Sequence, residues 1–200
     1  QSQYCMGSLS AGLRLLCLEL TRITNDLRLL CSGPLTGLAE IVLPAVQPGS
    51  SIMPGKVNPS MAENMNLVLF QVLGQCHAID MCVQAGQLEL NVMMPSMAFS
   101  AQFALQILTN TIDTFVDNCV VGITANEERC RHYAEISPSL ATALNAYVGY
   151  KVAADVVKTA LKEGKSIPDV VREQGLLDEA TLAKVLDPAL LTEPGIPGKA

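Results

Sequence analysis

The chain has no tryptophan, and aromatic residues make up only 4% of it. A nucleic-acid reader that stacks bases on aromatic platforms would have little to work with. Positive charge is also short, with 13 Lys and Arg against 19 Asp and Glu and a net charge of -6. That balance gives no basic face to track phosphates, so nucleic acid is excluded as a partner. A small anion is not excluded, because it needs only a local cation. The two histidines, His77 and His132, lie far apart, and the seven cysteines form no CxxC pair. Zinc-ligand spacing is therefore lacking, and neither a metal nor an organic cofactor is expected. Most of the cysteines sit among apolar neighbours and read as reduced core thiols of a cytoplasmic protein. No signal peptide is expected. Arg14, Glu19, Asn66 and Asp80 interrupt the apolar runs, so no membrane partner is expected either.

What is present is aliphatic. Half of the residues are hydrophobic, and Leu, Ala, Val and Met dominate, as suits helix packed on helix. Leu13, Leu16, Leu20, Ile23, Leu27 and Leu30 recur at three- and four-residue steps and predict a helix over 5–31. Gly33-Pro34 ends it. Residues 32–58 carry no helical periodicity, and loops of that length are usually functional or mobile. A second helix is expected over 59–84, with Asn58 as N-cap and Pro59 in its first position. A third follows Pro95, over 96–116.

Beyond Gly122 the elements shorten. Asn126 before Glu127-Glu128, Ser137-Pro138, the run 150–163 before Gly164, Ser166-x-x-Asp169 and the run Asp178–Leu186 each mark a short helix. No strand and no repeat is expected. The fold class is all-α. Residues 1–118 read as part of a long-helix bundle carrying the loop 48–59, and residues 119–200 as a small helical C-terminal domain. Three long helices cannot easily bury all their apolar faces, so partner helices are expected from elsewhere.

The loop Pro48-Gly49-Ser50-Ser51-Ile52-Met53-Pro54-Gly55-Lys56-Val57-Asn58-Pro59 is the most informative stretch. Two glycine turns, two hydroxyls, a cation and an amide between prolines fit no regular element. Ser, Lys and Asn at this spacing have the groups to bind a carboxylate and handle a proton. Lys56 and Asn58 stand two apart, so an extended segment would aim both to one side. Each residue also has a plainer reading. Ser50 can cap a turn, Lys56 can be a surface cation, Asn58 can cap a helix and Glu63 can be a solvated first-turn acid. Glu89 and Asn91 are open between site support and capping. Gly49 to Gly55-Lys56 is not a P-loop, because it has one residue too many and Val57 stands where magnesium needs Ser or Thr.

This loop resembles, nearly letter for letter, the signature loop of the fumarase/aspartase superfamily. The likeness continues in Ser32-Gly33-Pro34, in Glu89-Leu90-Asn91-Val92-Met93, in Gly122-Ile123 with Ala125-Asn126, and in Thr142-Ala143-Leu144-Asn145. The resemblance implies a lyase that forms fumarate by anti elimination. Ser50 would be the catalytic base, Ser51, Met53, Lys56 and Asn58 would bind the substrate, and Glu63 would support a histidine or cation of another subunit. It implies a small dicarboxylate substrate (aspartate, fumarate or malate) and a homotetramer whose sites are shared by three subunits. It covers nearly all of this chain but only about the C-terminal two-fifths of a family member. This chain would then supply one of three walls and be inactive alone.

Between subtypes, Ala85-Gly86-Gln87-Leu88-Glu89-Leu90-Asn91 leans toward the ammonia-releasing members, while Val120-Val121-Gly122-Ile123 looks equally like the hydratases. A non-catalytic helical oligomerisation module is the third reading. Ala146, Gln75-Cys76 and Met94 depart from the family's usual residues without touching the loop.

Overall fold

The protein was examined as a computed structural model, which describes residues 1–198. Among the described residues the chain forms eight α-helices, short 3₁₀ turns and one pair of two-residue strands. The long helices α1 (Tyr4–Leu30), α2 (Ser60–Val83) and α3 (Met94–Asn118) fall within two residues of their expected bounds. The strands β1 (Ile41–Val42) and β2 (Thr124–Ala125) pair antiparallel, where no strand was expected. Two residues a side are too few to carry a period-2 pattern.

The chain divides into two compact units, and the first runs to Asn126 and not to 118. The β1–β2 pair is the physical reason, since it ties residues 124–125 back onto 41–42.

In the first unit α1 and α2 run antiparallel. Leu13 and Cys17 of α1, Leu69, Val72 and Cys76 of α2, and Leu108 of α3 share one core. Ser10 Oγ donates to the Cys76 carbonyl at 3.0 Å, Asn66 Nδ2 donates to Asn25 Oδ1 at 2.9 Å, and Arg14 pairs with Asp80. By length and composition alone, α2 is apolar enough to cross a membrane. In this fold it packs against both α1 and α3. Asn91, only 1% exposed, joins α2 to α3. Its Nδ2 donates to the Cys82 carbonyl at 2.9 Å, and its Oδ1 accepts from Met93 N–H at 2.9 Å. One amide thus satisfies groups that both helix ends leave open, and Asn91 is a capping residue.

The second unit has its own core, centred on Leu144, Val156, Val170 and Val185. It begins with α4 (Glu127–Ile136), followed by a 3₁₀ segment over Pro138–Leu144 and the single turn α5 (Asn145–Val148). Then come α6 (Tyr150–Glu163), α7 (Ile167–Glu173) and α8 (Glu179–Val185). Three of the expected end signals are in place. Gly164 ends α6 at φ 65°, Ser166 Oγ accepts from Asp169 N–H at 3.3 Å, and Asp178 Oδ1 accepts from Thr181 N–H at 2.9 Å.

All seven cysteines are free thiols. Burial, with a smaller contribution from neighbouring Cys76, pushes Cys17 up from its usual value near 9 to about 11. Burial also raises Cys76 and Cys119. Only the thiolate is nucleophilic, so a two-unit rise cuts reactivity by about 100-fold before access is counted. Exposed Cys5 should therefore alkylate first, with Cys17 slower by about that factor or more at pH 8. Peptide mass spectrometry of a time course reads this directly. The folded state favours neutral Cys17, so its contribution to stability is complete below pH 9 and is lost as pH rises through 11. Denaturation midpoints should fall over that window.

Candidate active site

The 48–59 loop is held closed at its neck. Gly49 N–H donates to the Lys56 carbonyl at 2.9 Å, and Asn58 Nδ2 donates to the Gly49 carbonyl at 2.9 Å. A Cβ on Gly49 would lie 2.6 Å from the Lys56 oxygen, so only glycine permits this approach. At the far end Met53, Pro54, Gly55 and Lys56 form a reverse turn, with Gly55 at φ 77° and Lys56 N–H donating to the Met53 carbonyl at 3.3 Å. Proline followed by a positive-φ glycine is the pattern of a type II turn.

Inside this frame Ser50 is half-buried. Its Oγ accepts from two backbone donors, Ile52 N–H and Met53 N–H, each at 3.1 Å. Successive N–H groups converging on one oxygen create local positive potential. They favour negative charge on that oxygen over its neutral form. The plain turn-capping role and the anion-stabilising role thus use the same two bonds.

Ser50, Met53 and Lys56 line one cavity of about 550 Å³, together with Ala45, Pro48 and Val57. Lys56 is exposed, and no acidic side chain pairs with its ammonium among the described residues. Apolar walls with one cation and one hydroxyl suit a small anion.

Ser51 and Asn58 do not line this cavity. The Asn58 amide is turned to the Gly49 carbonyl and not to the Lys56 side of the loop. Asn58 is not the N-cap of α2 either. Pro59 holds that position with no side-chain cap, while the Asn58 amide closes the loop neck. Glu63 sits half-buried in the first turn of α2. Burial chiefly raises the Cys31 thiol, and the Glu63 charge adds a little to the rise. His77 and His132 are exposed.

Three contributors escaped sequence reading. The N–H groups of Ile52 and Met53 leave no trace in side-chain identity. Gln47 Nε2 donates to Ser60 Oγ at 3.1 Å across the loop base, a pairing no local spacing announces.

Residues 6–74 match the Lyase family, and residues 140–193 match the Fumarase C C-terminus family. An aspartate ammonia-lyase of a Bacillus species is 47% identical over 199 residues, covering 100% of this chain and 42% of its own length. A class II fumarate hydratase of Mycobacterium tuberculosis (strain CDC 1551 / Oshkosh) is 48% identical over 178 residues, covering 89% of this chain and 38% of its own length. The structure of a fumarate lyase:delta crystallin from Brucella melitensis superposes with a TM-score of 0.93 at 44% identity, over 97% of this chain and 42% of that one. The chain spans about two-fifths of the length of these relatives. Matched along its length in sequence and in fold, it belongs to the fumarase/aspartase superfamily.

Proposed function

We propose that the full-length protein is a fumarate-forming lyase, with aspartate giving fumarate and ammonia as the leading reaction. The observation that carries this is the Ser50 oxygen held by two backbone N–H groups in one cavity with the Lys56 ammonium. The hard step is removing a weakly acidic proton beside a carboxylate. Ser50, as an alkoxide, takes that proton. The C–H electron pair moves onto the neighbouring carboxylate as an aci-carboxylate, and Lys56 meets the charge gathering there. The C–N bond then breaks, its electron pair leaves with the amine as ammonia, and the new double bond is that of fumarate. Ser51 and Asn58 join the substrate only if closure of the loop over it re-aims them. Glu63 supports a group supplied by another subunit.

Hydration of fumarate to malate is the second reading, favoured by the 48% identical fumarate hydratase and the Fumarase C C-terminus match. The group that distinguishes amine from hydroxyl is not among the cavity residues described above. Assembly belongs to the same proposal. Leu15 of α1, Leu67 of α2 and Phe99 of α3 are each at least 66% exposed. Apolar patches of this kind rarely stay in water, and packing against other copies into a tetramer would cover them and complete the site.

Assaying the full-length protein for fumarate formation from aspartate and from malate tests the proposal. Activity on aspartate alone supports the leading reading, and activity on malate alone selects the hydratase. Activity on neither, from a folded assembled protein, leaves the non-catalytic module.

A further inference from the structure

We propose that Gly122 and Asn126 are positioning residues for the Ser50 loop, acting through its stem, residues 39–47. The inference rests on the reading of Ser50 given above, though its first test does not. Asn126 grips two successive carbonyls of the stem: its backbone N–H donates to Glu40 O at 2.9 Å, and its Nδ2 donates to Ala39 O at 3.0 Å. Ala39 sits at φ 53°, a left-handed conformation that an alanine does not choose by itself. The next two residues pair with β2, Ile41 opposite Ala125 and Val42 opposite Thr124. Leu43 is buried in the bundle core. Pro44 lies against Gly122 so closely that a Cβ there would stand 2.4 Å from the proline Cγ.

The stem is therefore registered against residues 122–126 almost residue by residue. The distal limb of the loop is anchored differently, since Asn58-Pro59 leads directly into α2. The two limbs carry different groups. Ser50 follows the stem, whereas Lys56 precedes α2. The neck bonds Gly49 to Lys56 and Asn58, so a shifted stem strains these bonds and displaces the base relative to a cation that α2 holds back.

The first test uses hydrogen exchange of residues 48–58 in this chain. Gly122→Ala should push Pro44 and speed exchange of this segment by about tenfold, because the Gly49, Ile52 and Met53 bonds lose alignment. Exchange within α2 should not change. The second test uses turnover of the full-length enzyme. Gly122→Ala should lower kcat by about 100-fold, the scale of a small misplacement of a reacting group, with KM held within about threefold. Pro44→Ala in the Gly122→Ala background removes the clash and should restore most of kcat. Asn126→Asp, which keeps shape but loses the Nδ2 donor, should show the same kcat-weighted loss. Unchanged exchange overturns the positioning role whatever Ser50 does. So does a Gly122→Ala loss that Pro44→Ala fails to rescue. Faster exchange with unaltered kcat keeps the positioning of the loop and removes Ser50 from the chemistry.

Discussion

Replacing Ser50 by Ala in the full-length protein is expected to cut turnover by about 10³-fold, within the range of a lost general base. That loss is about 4 kcal/mol at 1.36 kcal/mol per decade. KM should move little, because in the proposed reaction the hydroxyl acts on the proton and not on the carboxylates, so its removal spares ground-state contacts. The fold should survive as well. Ile52 and Met53 N–H lose their acceptor, but both residues are exposed and water can replace it. Steady-state kinetics with a helicity check by circular dichroism reads all three quantities. Retention of more than about a tenth of wild-type turnover, a loss under roughly 1.4 kcal/mol, removes Ser50 as the base and leaves the loop a binding clamp.

Lys56→Ala should fail in a different way, with KM rising and kcat falling together. In the proposed reaction its charge meets a carboxylate before the chemistry and the growing aci-carboxylate during it. A charge-assisted contact is worth about 1.5–3 kcal/mol in ordinary surroundings, which is about 10- to 150-fold, and more where charge accumulates away from water. Lys56→Arg keeps the charge but replaces a compact ammonium by a planar fork, so it should recover binding better than turnover. The contrast between the two alanine variants carries the information. If Ser50→Ala and Lys56→Ala gave the same kcat and KM pattern, the separate roles assigned to base and cation would be wrong.

Much of this fold was legible because its signals are local. The leucines at three- and four-residue steps mark α1, Gly164 and Ser166 punctuate α6 and α7, and Asp178 caps α8. What stayed hidden depends on residues far apart in the chain. Asn126 reads as a helix cap beside two glutamates, and nothing nearby tells that its amide reaches Ala39. The β1–β2 pair has the same character, since each strand is defined only by the other. At the candidate site, the motif singled out the 48–59 loop, and side-chain spacing alone did not give the partner of Asn58. Alternation placed Lys56 and Asn58 on one side, but closure of the neck takes the asparagine amide. The resemblance named the residues, and only the backbone geometry tells which of them share a cavity.

The two N–H bonds to Ser50 have a stereochemical consequence. A serine oxygen is tetrahedral, with one vertex for carbon, one for hydrogen and two for lone pairs. Ile52 and Met53 N–H both approach this oxygen, and their repulsion turns the O–H vector toward the vertex they leave open. On ionisation the new lone pair appears at that same vertex. The groups that stabilise the anion therefore also aim it, and a substrate proton can be received along one line only. An oxygen with a fixed line of approach selects between two mirror-related hydrogens on a methylene carbon once the carboxylates of the substrate are held. In the proposed reaction, the handedness of hydrogen removal would depend on two peptide N–H groups as well as on the cation that holds the carboxylate.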